Sequence, residues 1–406
     1  MIAYISGGVC AAKGFTAAGM HCGVKSRNPD KKDVALIYSE KECAAAAVYT
    51  KNIVKAAPIH ITQEHLKNGR ARAIAANSGN ANACAPNGAE NAKRMCAAAA
   101  ETLGILPEDV IVASTGVIGQ TLNIAVIEEN MQKIAAMLST DGSDDAARAI
   151  MTTDTVKKEI ALETLIGGKR VRMGGIAKGS GMIHPNMGTM LCFITTDCAI
   201  SSEMIKKAVL EAARVSFNRI SVDGDTSTND MCCVMANGFA GNREIVAEDR
   251  DYDLFLAALK ELCVTLARSM ASDGEGARHL ITCTVSGAKT EGSAETIAKS
   301  VISSTLTKAA VFGADANWGR VLCAMGYSGE EFDPNSVGVS FLSAAGSIEV
   351  CKNGRGLDFD EVLAKKILTE HDITIRITMG DGSEECTAWG CDITYDYIKI
   401  NGDYRT

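Results

Sequence analysis

A glycine and a threonine, Gly188-Thr189, stand immediately ahead of the apolar run Met190-Leu191-Cys192-Phe193-Ile194. The run reads as a buried strand, so Thr189 falls at its start. An intact threonine hydroxyl is a poor nucleophile. Breaking the Gly188–Thr189 peptide bond changes that, because the freed α-amine lies beside the hydroxyl and can take its proton. Such an amine, with a reference pKa of roughly 7.7 to 8.0, suits general-base and then general-acid work near neutral pH without a histidine. The same hydroxyl can make the nick: attack on the Gly188 carbonyl gives an ester by an N-to-O shift, and water then releases two chains. On these residues alone the simpler role of Thr189 is to open a strand.

Other reactive side chains sit beside glycine. Lys178 precedes Gly179-Ser180-Gly181, Glu275 lies between Gly274 and Gly276, and Ser114-Thr115-Gly116 follows the apolar run Val110-Ile111-Val112-Ala113. Glycine lets a backbone N–H approach a reacting atom closely and lets a neighbouring charge turn into a pocket. Taken alone, Lys178 and Glu275 read as exposed loop charges and Thr115-Gly116 as a turn. The stretch Gly174-Gly175-Ile176-Ala177-Lys178-Gly179-Ser180-Gly181 is not a phosphate loop, since its lysine precedes the glycine that G-x-x-x-x-G-K-[ST] puts ahead of it. His184 is read as a neighbour of Thr189 and not as its base, a role the freed amine already fills. Asn77, Asn80 and Asn82 read as residues that order a turn.

These residues need a framework to hold them, and apolar runs alternate with helical patterns along the chain. Residues 34–38, 71–75 and 110–114 read as strands, and 89–103, 124–138, 204–216 and 254–270 as helices. The last is the clearest, with Phe255, Leu259, Leu262, Leu266 and Met270 on one stripe and Lys260, Glu261 and Arg268 turned away. A further helix starts near Ser293 and carries Ile297, Val301, Ile302 and Leu306 towards Phe312. Residues 337–342, 347–351, 373–378 and 386–400 hold β-branched side chains between Gly, Asp and Asn turns and read as strands. The mixture predicts a layered α/β fold. No repeat or linker is visible.

At 406 residues the chain can bury a sizeable core, and 47% hydrophobic residues with only 5% aromatics give it Ala, Val, Ile, Leu and Met to build from. A formal charge of -8 and scattered Lys and Arg argue against nucleic acid as a partner. No segment has the apolar length to span a bilayer, and the first residues lack the charged start and apolar core of a signal peptide, so a soluble, cytoplasmic protein is expected. Fifteen cysteines without a C-x-x-C spacing or a matching histidine interval point to structural, reduced thiols, and no metal site is expected.

The segment Lys178-Gly179-Ser180-Gly181-Met182-Ile183-His184-Pro185-Asn186-Met187-Gly188-Thr189-Met190-Leu191 does not stand alone. It is accompanied by Ser114-Thr115-Gly116-Val117-Ile118-Gly119, Asp273-Gly274-Glu275-Gly276-Ala277, Gly313-Ala314-Asp315-Ala316-Asn317-Trp318-Gly319-Arg320 and Ile400-Asn401-Gly402-Asp403-Tyr404-Arg405-Thr406. In this combination the chain closely resembles the ArgJ family, the glutamate N-acetyltransferases, also called ornithine acetyltransferases, of the arginine pathway. The matching motifs run in order from Asn77-Ser78-Gly79-Asn80-Ala81-Asn82-Ala83-Cys84 to the last residue, so the resemblance covers essentially the whole chain.

The resemblance implies sheets sandwiched between helices, similar to the N-terminal-nucleophile hydrolases but with different connections. It implies self-cleavage at Gly188-Thr189 into an α chain, 1–188, and a β chain, 189–406, paired as a heterotetramer of two of each. The family usually has alanine before the threonine, and glycine keeps that position small. Thr189 becomes the nucleophile, Thr115 and Gly116 the oxyanion hole, and Thr152, Lys178, Glu275, Asn401 and Thr406 join it in binding substrate. For an amino-acid substrate, Lys178 offers a cation for a carboxylate and Glu275 an acid for an amine. The implied reaction moves acetyl from N2-acetyl-L-ornithine to L-glutamate through an acetyl-threonine ester. No metal or bound organic cofactor is implied, and acetyl-CoA is a donor for some members. The alternative is an N-terminal-nucleophile amidohydrolase or aminopeptidase, in which water replaces glutamate. No role is implied for Asn317-Trp318-Gly319-Arg320.

Overall fold

The computed structural model describes residues 2–25, 28–184 and 190–403. Its chain forms two compact units, the first from Met1–Gly179, Pro185–Asn218 and Thr226–Leu266, the second from Ser180–His184, Arg219–Asp225 and Ala267–Thr406. The expected boundary at 188/189 is one of cleavage chemistry and lies outside the described residues.

Strands in chain order are β1 (Ala3–Ile5), β2 (Phe15–Met20), β3 (Val34–Tyr49), β4 (Arg70–Asn80), β5 (Val110–Val117), β6 (Lys158–Ile166), β7 (Lys169–Lys178) and β8 (Leu191–Thr196). There follow β9 (Ile220–Ser221), β10 (Met231–Ala236), β11 (Leu280–Ala288), β12 (Gly338–Ser343), β13 (Gly346–Lys352), β14 (Arg355–Gly356), β15 (Asp372–Thr378) and β16 (Glu384–Cys391). The helices are α1 (Ala57–His65), α2 (Gly88–Leu103), α3 (Ile124–Ala136), α4 (Ser143–Ile150), α5 (Ser202–Val215), α6 (Arg250–Ser272), α7 (Glu291–Ser303), α8 (Thr305–Phe312), α9 (Trp318–Gly326), α10 (Glu361–Leu368) and α11 (Tyr395–Gly402).

The first unit holds a nine-stranded mixed sheet in the order β1-β6-β7-β8-β10-β3-β4-β5, with β2 also paired to β3. Strand alternation sends its side chains to two different cores. Ile37, Ile74, Ala76, Ile111 and Ala113 meet Ala146, Ala147 and Ile150 of α4. Their neighbours Leu36, Ala73, Ala75, Val110 and Val112 meet Met95 and Ala99 of α2 and Ile127, Met131 and Ile134 of α3. Helices therefore cover both faces, which is the layered α/β sandwich expected. The second unit holds a seven-stranded sheet, β14-β13-β12-β15-β11-β16-β9. Its core joins Ile281, Val285, Phe341 and Ile375 of the sheet to Ile297 and Val301 of α7, Val321 of α9 and Ile367 of α10.

Two sequence readings are corrected. The helix starting near Ser293 does not continue through Leu306: it stops at Ser304, whose hydroxyl accepts the Thr307 N–H at 3.2 Å and starts α8, and Leu306 is exposed. The last predicted strand, 386–400, ends at Cys391; Thr394 then caps α11 by accepting the Asp396 N–H at 3.1 Å. In both places a short polar side chain that satisfies the first turn's amides overrides the β-branched or apolar pattern around it. The cysteines form no disulfide among the described residues.

Candidate active site

Thr189 and Gly188 lie outside the described residues, as does Thr406. The other expected site residues fall into two connected groups, one in each unit.

In the first unit, β5 ends in Ser114-Thr115-Gly116, paired in parallel with Asn77-Ser78-Gly79 of β4. Gly116 has φ of +132°, and a Cβ there would stand 2.3 Å from the Gly79 carbonyl carbon and 2.5 Å from the Asn80 nitrogen. Only glycine fits this close approach. The turn beside it is ordered by asparagines, as expected: Asn77 Nδ2 donates to the Asn80 carbonyl at 2.9 Å, and Asn80 Oδ1 accepts the Asn82 N–H at 2.8 Å. Ser114 is held twice, by its hydroxyl donating to Asn77 Oδ1 at 2.6 Å and by its carbonyl accepting from Asn229 Nδ2 at 2.8 Å. Because the peptide is planar, fixing the Ser114 carbonyl also fixes the direction of the Thr115 N–H, a candidate oxyanion donor.

Lys178, the last residue of β7, is buried, and its Nζ lies 3.2 Å from Thr115 Oγ1. The structure thus brings two expected site residues from different strands into direct contact. Thr152 is tied to the same region through Asp154, whose Oδ2 accepts the Thr152 N–H at 3.1 Å and whose Oδ1 accepts Gly179 N–H and Lys158 Nζ, each at 2.7 Å. Burial alone would raise the Asp154 pKa, but the charges of Lys158 and Lys178 and the Gly179 N–H hold it at about 2. Lys25 braces the preceding residue, donating to the Met151 carbonyl at 2.7 Å; burial draws its ammonium down to about 8 against the pull of Asp33.

Five of these side chains escaped the reading of the sequence: Lys25, Asp154, Lys158, Asn229 and Asp230. Asp230 is buried, its Oδ2 has no hydrogen-bond partner among the described residues, and burial pushes its carboxyl well above the usual range while Ser227 and Lys178 draw it down. Asn229-Asp230 directly precedes the buried strand β10, and two polar residues at the mouth of such a strand were the available signal.

In the second unit Glu275 is buried, and its carboxylate lies directly over Gly181, where a Cβ would meet the carboxylate carbon at 2.3 Å. The Glu275 N–H donates to the Ser180 carbonyl at 3.0 Å, and Oε2 accepts Nδ2 of Asn401, on α11, at 2.8 Å. Glu275 and Asn401, 126 residues apart, are therefore partners. His184 Nδ1 lies 3.0 Å from Ser221 Oγ, and burial, with Lys299 and Lys308 adding to it, lowers its pKa to about 4. The imidazole is neutral at pH 7.

Asn317-Trp318-Gly319-Arg320, left without a role above, starts α9: Asn317 Oδ1 accepts the Arg320 N–H at 3.2 Å, and Arg320 Nη1 donates to the Leu306 carbonyl at 3.0 Å. Its work is to join α9 to α8.

In the first unit a buried lysine beside a strand end shaped by glycine is suited to stabilising an oxyanion, and in the second an acid paired with an asparagine is suited to meeting an amine. Comparison with known proteins agrees. The ArgJ family profile matches residues 16–406. The arginine biosynthesis bifunctional protein ArgJ of Symbiobacterium thermophilum is 50% identical over 404 residues, covering 99% of this chain and 100% of that protein. ArgJ 1 of Clostridium acetobutylicum is 49% identical, covering 97% and 96%. The crystal structure of the Bacillus halodurans ArgJ protein shares 41% identity at a TM-score of 0.49, covering 52% of this chain and 97% of the solved one. With nearly half its residues shared end to end with such proteins, the chain belongs to the ArgJ family and is a bifunctional enzyme of arginine biosynthesis.

Proposed function

We propose that the chain cleaves itself at Gly188–Thr189 and then moves acetyl from N2-acetyl-L-ornithine to L-glutamate. In maturation Thr189 Oγ adds to the Gly188 carbonyl, the peptide C–N bond breaks, and its nitrogen takes up the proton as the new α-amine. Water hydrolyses the ester to a Gly188 carboxylate and a free Thr189 hydroxyl, giving an α chain of 1–188 and a β chain of 189–406. In turnover the α-amine takes the hydroxyl proton as Oγ attacks the acetyl carbonyl, then returns it to the leaving ornithine amine. The amine of glutamate attacks the resulting acetyl-threonine and restores the hydroxyl.

Thr115 and Gly116 supply the N–H groups that receive the oxyanion, Lys178 meets a substrate carboxylate, and Glu275 with Asn401 meets an amine; Thr152 and Thr406 complete the contacts. The contact of Lys178 Nζ with Thr115 Oγ1 carries this reading, because it sets a fixed positive charge beside the proposed oxyanion donors. Family membership supports the ornithine and glutamate substrates. For the second activity of a bifunctional enzyme we take acetyl-CoA as donor to glutamate. No metal or resident organic cofactor takes part. The two chains assemble as a heterotetramer of two of each in the cytoplasm.

The test is the intact mass of purified protein before and after brief exposure to N2-acetyl-L-ornithine without glutamate. Two fragments meeting at Gly188/Thr189, with one acetyl gained on the C-terminal fragment, are expected. Thr189→Ala removes the oxygen used in both steps and should give one full-length mass with no acetyl gain. Two fragments from that variant would contradict the assignment, and acetyl release to water at a rate indifferent to glutamate would point instead to a hydrolase.

A further inference from the structure

Residues 180–184, which lead in sequence towards the proposed cleavage point, are irregular backbone held by many bonds. The Ser180 hydroxyl donates to the Asp273 carbonyl at 2.6 Å, and the Ser180 carbonyl accepts the Glu275 N–H at 3.0 Å. Asp223 accepts two consecutive amides, Met182 N–H on Oδ2 at 2.6 Å and Ile183 N–H on Oδ1 at 2.9 Å. The Ile183 carbonyl in turn accepts the Val222 N–H at 2.7 Å. Asp223 is itself steadied by the Asp225 N–H at 3.2 Å and the Tyr397 hydroxyl at 3.4 Å.

Met182 sits in this strap with φ of +55°, the left-handed region that side chains with a Cβ rarely adopt. Its side chain is 43% exposed, so packing of the methionine does not impose the conformation. The carboxylate that takes its N–H and the next one does. Strain kept at one residue by a fixed partner is a sign of a position whose geometry matters.

We propose that Asp223 is a positioning residue for self-cleavage: by gripping the Met182 and Ile183 amides it holds Met182 in the left-handed turn and fixes residues 182–184 ahead of the Gly188–Thr189 bond. This rests on the cleavage reading given above and adds to it the residue that prepares the precursor. Once the bond is cut the grip has done its work, so Asp223 governs the rate of maturation more than the rate of turnover.

The experiment follows precursor conversion by intact mass, after synthesis in a cell-free system, for wild type, Asp223→Asn, and Asp223→Asn with Met182→Gly. Asparagine keeps the volume and one acceptor oxygen but loses the charge and one of the two amide bonds, and conversion should slow by about tenfold or more. Glycine at 182 has no left-handed penalty, and in the double variant it should recover part of the rate. Fragments, once formed, should show kcat within about threefold of wild type. Wild-type conversion with an unchanged rate in Asp223→Asn overturns the clamp alone. A slow variant that Met182→Gly does not help, or one without a cooperative thermal transition, assigns Asp223 to the fold and also overturns it. A wild-type chain that stays at one mass overturns the clamp together with the cleavage reading.

Discussion

A methyl group on Gly116 would stand 2.3 Å from the Gly79 carbonyl carbon, a contact that neither backbone can relieve without moving the end of β5. Gly116→Ala should therefore displace the proposed oxyanion donors and lower kcat/KM by about a hundredfold or more, in steady-state assays of cleaved protein. Unchanged kinetics would remove Thr115 and Gly116 from the chemistry. Asp154 makes a different kind of prediction. Its folded pKa of about 2 lies below the unfolded value, so the fully buried ion pair with Lys158 contributes stability that is complete above the unfolded pKa and lost as pH falls through the folded one. Asp154→Asn leaves Lys158 buried without its counter-charge, at a cost on the order of 3 kcal/mol at neutral pH. Urea melts of the two proteins from pH 7 downwards should show that gap narrowing below about pH 4, where the unfolded aspartate takes up its proton. A gap independent of pH would mean that the charge of Asp154 is not what stabilises.

At the scale of elements, α11 shows how a local signal serves a distant site. Thr394 Oγ1 accepts the Asp396 N–H at 3.1 Å and donates to the Gly276 carbonyl at 2.7 Å, so one hydroxyl both starts the helix and fastens it beside Glu275. The helix then delivers Asn401 to that glutamate. Thr394→Ala should cost about 1 kcal/mol in a urea melt and raise KM for the amino-acid substrate with little change in kcat. A kcat loss without a KM change would show that α11 acts in the chemical step. The same helix marks where sequence reading stops. Long amphipathic helices such as α6, and β-branched runs such as β15, were legible because their periodicity is repeated over many residues. Residues 392–400 were not, because Tyr395, Ile398 and Ile400 suit a strand as well as a helix and the cap at Thr394 decides between them. Thr115, Lys178, Glu275 and Asn401 were singled out through motif resemblance, but their pairing was not foreseen, since the contacts join residues 63 and 126 positions apart. Lys25, Asn229 and Asp230 carry no motif, and only burial reveals them.

At the scale of the molecule, the central strands of the first unit's sheet bear on what cleavage can separate. β8 and β10 come from sequence after position 189, and they lie between β7 and β3, which come from before it. β8 pairs with β7 from Leu191↔Lys178 to Thr196↔Met173, β10 pairs with β3 from Met231↔Tyr49 to Ala236↔Ala44, and every residue of β8 and β10 is buried. Cutting Gly188–Thr189 removes one covalent bond and leaves these ladders and their apolar contacts in place. Pulling the chains apart would expose two rows of unpaired backbone groups and a core of Leu191, Phe193, Ile194, Met231, Val234 and Met235, which is equivalent to unfolding the unit. The cleaved protein should therefore run on gel filtration as one species with both fragments in equal amounts, and the fragments should part only in denaturant, at the concentration where far-UV circular dichroism is lost. Fragment 1–188 made separately should fail to give a cooperative melt, since it lacks the central strands β8 and β10, whereas fragment 189–406 carries every strand of the second unit's sheet. Elution of the two chains apart in native buffer would show that the shared sheet does not hold them, and would remove the structural reason for expecting the proposed active site to outlive its own maturation.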